Sequence, residues 1–276
     1  MSDSSEILRL RVLLSFLKDD ETCNVMGISR TLNTSKQTIS RIIISLEKDG
    51  LVDRSDLRHP VLTEKGLITA QKYSDKIDLS LNYLMHNGVN IQNAKKDAYL
   101  WALYNSEDTI RAIRRKEELY RVKEAMKDQY RFTGSQLCRN LADGEYEVPF
   151  FIYREHIHNG SNISMANNGF EHPCILSVKD GTGTIQLKST SVSAVSASTG
   201  KPMHGAIKSL KYFDSGNFIG AENSGSILSF PAGTLNFVNI GEGIGRMFHG
   251  TVLMKMLCNA GTMHMPESEA VFTIIL

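Results

Sequence analysis

Between residues 25 and 52 the apolar positions fall with helical spacing and then stop at a glycine. Ile39, Ile42, Ile43 and Leu46 recur at i, i+3, i+4 and i+7, which draws one apolar stripe along a helix. Lys36, Gln37, Ser40, Arg41 and Lys48 point elsewhere. The pattern predicts two short helices joined by a tight turn, with Ser35 capping the second. Gly50 stands where a glycine ends a helix. Residues 51–55 then alternate as a short strand, 56–60 read as a turn, and Val61-Leu62-Thr63 as a second strand. Two helices followed by a hairpin with Arg54, Arg58 and His59 near its tip make a winged helix-turn-helix.

The helical pattern extends on both sides. Residues 7–17 form a first helix that packs on the helix-turn-helix. Residues 64–86 make a long helix with Thr63 as N-cap, and Asn87-Gly88 ends it. Asn90 caps a further helix through Tyr104, with Ile91, Ala94, Ala98, Trp101 and Ala102 on it. Ser106-Glu107-Asp108 opens a last, charge-rich helix to about Lys127, read as a solvated helix laced by i, i+4 pairs.

From about Glu145 onward helical spacing disappears, and Gly, Ser, Thr and Asn rise. Short apolar runs at 149–153, 174–178, 184–187, 226–230, 235–238 and 270–276 read as strands, several separated by turn signals such as Lys179-Asp180-Gly181 and Asn223-Ser224-Gly225. The fold class expected is α+β and multidomain. Residues 1–63 are a winged helix, 64–127 a helical dimerisation region, 128–144 a linker, and 145–276 an all-β domain of sandwich or jelly-roll type.

Length and composition agree with this division. The 276 residues suffice for about two domains, and 41% hydrophobic content supplies real cores. No apolar run reaches the roughly 18 residues of a membrane span. The acidic start Met1-Ser2-Asp3-Ser4-Ser5-Glu6 does not read as a secretion signal. Cys23, Cys138, Cys174 and Cys258 are scattered singly, as reduced thiols of a cytoplasmic protein would be. Net charge is only +1, yet residues 24–72 hold eight Lys and Arg against five Asp and Glu. So modest an excess suits a dimer, which doubles the phosphate contacts of one module. On this reading Ser35, Lys36, Gln37, Thr38, Ser40 and Arg41 face the major groove of double-stranded DNA. Gln37 suits adenine, Arg41 suits guanine or a phosphate, and Arg54, Arg58 and His59 suit backbone or minor groove.

Local signatures narrow the helical half further. They are Ser35-x-x-Thr38-x-Ser40, Glu47-Lys48-Asp49-Gly50-Leu51-Val52 and Leu62-Thr63-Glu64-Lys65-Gly66, followed by Gly88-Val89-Asn90-Ile91 and Trp101. With the order of helices, they resemble the diphtheria toxin repressor family of iron- and manganese-responsive regulators, over roughly residues 7–115. The resemblance implies a two-fold dimer through helices 64–86 and 90–104, reading two half-sites about one helical turn apart. It also implies metal ligands, and these do not carry over. Their positions fall on Leu8, on about Lys76 or Ile77, near Ser80, and on Tyr99, Ala102 and Leu103, none a usual ligand for a first-row metal. His86 and Glu107 stand alone, and no nearby His-Glu cluster rebuilds the site. The expectation is a retained scaffold with a degenerate metal site and no cofactor there.

A sensor, if present, then belongs to the β half. Residues 225–241 resemble the second motif of cupin jelly rolls, with a glycine turn, a strand and Pro231-x-Gly233. His156-x-His158 would put two imidazoles on one strand face as a metal pair. Asn236 stands where that motif has its histidine, and Glu171 lies too far from His158 for the compact first motif. Met247, Met254, Met256, Met263 and Met265 fit adaptable core filling or an apolar pocket. No phosphate loop, nucleophile elbow or spaced carboxylate pair is present, so no enzyme is expected. The function expected is a homodimeric, sequence-specific transcriptional regulator with an unidentified small-molecule effector. The alternatives are a cupin-like small-molecule or metal-binding protein or enzyme with a helical dimerisation arm, and a protein-interaction module.

Overall fold

The computed structural model describes residues 5–18, 23–158, 161–195, 202–260, 263–264 and 267–276. The chain divides into two compact units, Met1–Glu117 and Glu118–Leu276. Each is built around its own core.

The first unit is helical. In order it holds α1 (Ser5–Ser15), α2 (Val25–Thr31), α3 (Lys36–Lys48), β1 (Val52–Asp53), β2 (Val61–Leu62), α4 (Glu64–His86), α5 (Ile91–Tyr104) and most of α6 (Glu107–Ala125). Side-chain caps start five of these helices: Asn24 on α2, Ser35 on α3, Thr63 on α4, Asn90 on α5 and Ser106 on α6. Each cap oxygen accepts a backbone N–H that the first helical turn leaves without a partner. Ile39, Ile43 and Leu46 of α3 are fully buried against Val12, Leu13 and Phe16 of the first helical segment and Ile28 of α2. The helical stripe read from sequence is therefore the face that fixes α3 to the body. The wing is shorter than the eight strand residues expected; β1 and β2 pair only at Val52–Leu62 and Asp53–Val61.

Two glycines decide how the wing leaves and rejoins the helices. Gly50 sits at φ +70°, donates to Glu47 O at 2.9 Å and lets Leu51 N–H reach Leu46 O at 2.9 Å. That is the left-handed helix stop that glycine adopts without a Cβ penalty. At Gly66 a Cβ would lie 1.8 Å from Leu51 O, so only glycine lets the start of α4 meet the chain entering β1.

The second unit is mainly β. It opens with β3 (Arg131–Thr133) and α7 (Gly134–Asn140), then β4 (Gly144–Val148), β5 (Phe150–His158) and β6 (Ser161–Ile163). There follow β7 (Cys174–Lys179), β8 (Thr182–Lys188), β9 (Val192–Val195), β10 (Pro202–Asp214), β11 (Asn217–Gly220), β12 (Glu222–Ser224) and β13 (Ile227–Pro231). The last are β14 (Asn236–Ile240), β15 (Met247–Ala260), β16 (Met263–His264) and β17 (Ser268–Ile275). One sheet runs β11-β10-β15-β17-β5-β6, with β9, β14, β16 and β3 attached, and the other runs β12-β13-β8-β7-β4. Phe230 of the smaller sheet meets Phe272 of the larger edge-on at 5.5 Å, and Tyr212 stacks on Phe230 at 5.6 Å. Two antiparallel sheets sharing one apolar core make a sandwich.

The segment 128–144 is a correction to the linker expected there. It carries β3 and α7, and Phe132, Leu137, Cys138 and Leu141 are buried in the sandwich core. Phe132 stacks on Phe237 at 5.1 Å and meets Phe248 edge-on at 4.8 Å. Its few apolar residues are spent on tertiary contact, a use that local spacing does not display.

Candidate nucleic-acid interface

The turn between α2 and α3 is held from both sides. Ser29 Oγ donates to Thr34 O at 2.6 Å, and Thr34 N–H donates to Ser29 O at 3.0 Å. Asn33 takes φ +47°, a left-handed conformation that asparagine tolerates. Ser35 Oγ then accepts Thr38 N–H at 3.2 Å and lies 2.9 Å from Thr38 Oγ1. The N-terminus of α3 is thereby fixed, and with it the residues of its first turn.

The expected groove-facing residues divide into two groups. Ser35, Lys36, Gln37 and Arg41 are exposed, whereas Thr38 and Ser40 are half-buried. Gln37 and Arg41 lie four residues apart and Ser40 three from Gln37, so the three share one helix face. Ile44 continues that face and is half-buried. It was missed in sequence because it sits among three consecutive isoleucines, where spacing alone assigned Ile42 and Ile43 inward. An apolar side chain there suits a thymine methyl.

The wing places its three candidates differently. Arg58 and His59 are exposed at the tip, where Asp56 Oδ1 accepts Arg58 N–H at 2.8 Å and shapes the turn. Arg54 is drawn back: its Nη1 donates to Glu47 Oε2 of α3 at 2.9 Å, and its side chain is only 19% exposed. Arg54 thus ties wing to helix rather than extending from the tip. Asp53 beside it has its carboxyl held below the usual range by the Ser55 hydroxyl and N–H.

The positions of the metal ligands implied by resemblance are occupied by packing and by an ammonium. Leu10, Ile77, Ala98 and Ala102 form a small core, with Tyr73, Leu81, Tyr99 and Leu103 packed on it. Lys76 is buried, and its Nζ donates to Glu107 Oε1 at 2.9 Å, where Lys72 Nζ also reaches at 2.8 Å. Hydrogen bonds from Lys72 and Lys76 lower the Glu107 carboxyl from 4.5 to about 2. One turn beyond Lys76, Ser80 Oγ is buried with no hydrogen-bond partner. His86 is likewise engaged, with Nδ1 2.9 Å from Glu117 Oε2. Neither His86 nor Glu107 stands alone as the sequence suggested. Among the described residues no three His, Cys, Asp or Glu side chains gather. His156 and His158 lie on the backbone of β5, but their side chains fall outside the described residues.

Two deep thiols belong to the β core. Burial pushes Cys138 up to about 11 and Cys174 up to about 12, which leaves both protonated and unreactive. The motif resembling a cupin spans two sheets: β13 lies in the smaller, β14 in the larger, and the Ala232–Thr234 turn crosses between them. Among the described residues no helix is long and apolar enough to cross a membrane.

Helix-turn-helix, C-terminal glycine stop and paired wing make the first unit a winged helix-turn-helix. Residues 10–59 match the model of the MarR family. No curated protein sequence matches the chain. Solved structures similar to it include the manganese regulator SloR, at 12% identity over 81% of this chain and 98% of that one, TM-score 0.35. The metal-dependent transcriptional regulator MtsR is similar at 15% identity over 64% of this chain and 88% of that one, TM-score 0.35. The NEAT5 domain of IsdX2, a B. anthracis hemophore in complex with heme, is similar at 16% identity over 48% of this chain and 96% of that one, TM-score 0.30. These likenesses are too distant to carry function, which rests on the chain's own residues.

Proposed function

We propose that the protein is a sequence-specific DNA-binding transcriptional regulator that acts as a homodimer in the cytoplasm. The observation that carries this reading is α3 itself. Exposed Ser35, Lys36, Gln37 and Arg41 stand opposite a buried stripe of Ile39, Ile43 and Leu46. Hydrogen-bonding side chains on a rigid, anchored helix are what base-edge reading requires. The capped N-terminus of α3 also offers free N–H groups to a phosphate.

Dimerisation through α4 and α5 is supported by apolar side chains left in solvent. Leu67 and Ile68 of α4 are 52% and 65% exposed, and Ile91, Leu100 and Tyr104 of α5 are 43%, 40% and 62% exposed. Regulation in this reading does not pass through the metal site of the family it resembles. The Lys76 ammonium supplies a fixed positive charge between α4 and the start of α6, and packing fills the rest.

Selection from a random duplex pool tests the function. The expected result is a near-palindrome with half-sites centred one turn apart, about 34–36 Å. Affinity is expected to be unchanged by manganese, iron(II) or a chelator. No enrichment at low salt would overturn DNA reading. Enrichment of an asymmetric single half-site would overturn the dimer, and a chelator-sensitive affinity would overturn the loss of the metal switch.

A further inference from the structure

The outward face of the larger sheet carries a row of apolar side chains, and DNA reading makes no use of it. Strand register fixes the row. Leu253 of β15 pairs with Val271 of β17, and Val271 pairs in turn with Tyr153 of β5. On the other side of β15, Phe213 of β10 lies one residue beyond the pair Tyr212–Met254, beside Leu253, and pairs with Phe218 of β11. Successive residues of a strand alternate between faces, and paired residues share one. Tyr212, Met254, Phe272 and Ile152 are buried in the sandwich, so the residues next to them in this row point away from it. Five adjacent strands thus each present one apolar side chain outward, over about 20 Å at the usual strand spacing. Phe213 is 36% exposed and Leu253 45%, while Phe218, Val271 and Tyr153 are half-buried. Phe213 meets Phe218 edge-on at 5.3 Å, and Phe151 stacks on Tyr153 at 6.0 Å.

A contiguous apolar strip on an outer sheet face marks an interface. The charges beside the strip point to its occupant. Two residues further along each strand, the outward positions are Lys211 on β10, Lys255 on β15 and Glu269 on β17, paired in that order. The cations lie toward β10 and the carboxylate toward β17. Lys211 is joined to Glu267 at 2.8 Å and Lys255 to Glu269 at 2.9 Å. These four side chains sum to no net charge, so the face holds no single-sign field to draw a nucleic acid or an anionic membrane. It is matched to itself instead. A two-fold axis parallel to β15 lays β10 of one copy over β17 of the other. Lys211 then faces the partner's Glu269, Phe213 the partner's Val271, and Phe218 the partner's Tyr153, while Leu253 meets its own counterpart. Each contact between unlike residues occurs twice, as an isologous interface requires.

We propose that this face is a self-association surface, on which a second copy of the chain docks sandwich to sandwich. Two sheets about 10 Å apart with nearly aligned strands are the ordinary packing of β-sheets. The strip supplies the apolar centre of the interface, and Lys211 and Glu269 supply its polar rim. The surface is separate from α4 and α5, which belong to the first unit. It stands whether or not the protein binds DNA.

Sedimentation equilibrium of the full chain tests it, with the α4 surface made charged by Leu67→Glu and Ile68→Glu. That chain is expected to remain a dimer. Adding Leu253→Glu should weaken association by on the order of 100-fold, because the two-fold sets two unpaired carboxylates against each other in an apolar centre. Leu253 is 45% exposed in the single chain, so its circular dichroism should not change. Lys211→Glu should weaken association about 10-fold, and Glu269→Lys added to it should restore the dimer, because each residue faces the other across the axis. As a second measurement, isotope-filtered NOEs in a mixture of labelled and unlabelled wild type should join the Phe213 ring to the Val271 methyls. A monomer at every concentration would overturn self-association and leave the strip to a different protein. A dimer unmoved by Leu253→Glu, or one without the intermolecular NOE, would overturn the face. Failure of duplex selection would leave all of these results unchanged, so the two readings fail separately.

Discussion

Gln37 and Lys36 are neighbours on α3 with different expected roles. Gln37 shares a face with Ser40 and Arg41, while Lys36 stands beside the capped N-terminus, where a phosphate is favoured. Gln37→Ala is expected to cost about 1–3 kcal/mol and relax preference at one base pair. Lys36→Ala should weaken all duplexes alike and lower the salt slope by about 1. Binding isotherms on selected and scrambled duplexes at several salt concentrations separate the two. A second residue-scale expectation concerns Glu107, whose carboxyl is lowered from 4.5 to about 2 by Lys72 and Lys76. A depressed folded-state value means that the ionised carboxylate favours the fold. Its contribution is complete above pH 4.5 and is lost as pH falls through about 2. Glu107→Gln should lower stability at neutral pH and flatten its fall across that acid range, read by denaturant midpoints at each pH. Neither the buried Lys76 ammonium nor its carboxylate partner, 31 residues on, could be paired from spacing.

Among elements, the wing departs most from its sequence. Arg54, Arg58 and His59 look alike in a row of polar residues, yet Arg54 reaches back to Glu47 at 2.9 Å while Arg58 and His59 stay exposed. Arg58→Ala is therefore expected to weaken DNA binding more than Arg54→Ala, measured by anisotropy on one duplex; equal losses would return Arg54 to the interface. The β unit shows the converse difficulty. Its longest strands, β10 and β15, were not read from sequence. On β10 a bulge between Ile207 and Ser209 breaks the alternation, so the inward residues are Ile207, Leu210 and Tyr212. On β15 the exposed Leu253 adds an apolar residue to the outward positions, which hides the inward row Phe248, Val252, Met254 and Met256. Helices α3, α4 and α5 carry no such interruption, and their caps, with the glycine stops of α3 and α4, were legible.

At the scale of the whole molecule, each unit has its own apolar cluster. Ile39, Ile43 and Leu46 anchor the first, and Phe150, Phe230, Phe237 and Phe272 anchor the second. Ile43→Ala should remove about 2–5 kcal/mol from the first unit, as truncation of a buried isoleucine does. Scanning calorimetry should then show one transition lowered and the other unmoved; a single transition shifted as a whole would mean that the units unfold together. Cutting the chain into such units was possible from composition, but the boundary was not. Residues 128–144 look polar enough for a linker, yet Phe132, Leu137, Cys138 and Leu141 complete the sandwich core.

The sequence by itself determined the winged helix, its caps, its glycine stops and the inward stripe of α3, because each is written in residues within a turn or two of one another. Tertiary structure decided what those residues meet. It drew Arg54 to Glu47 and set Lys76 against Glu107. Local spacing records the period of a helix or strand; it holds no record of which distant charge or strand completes the environment.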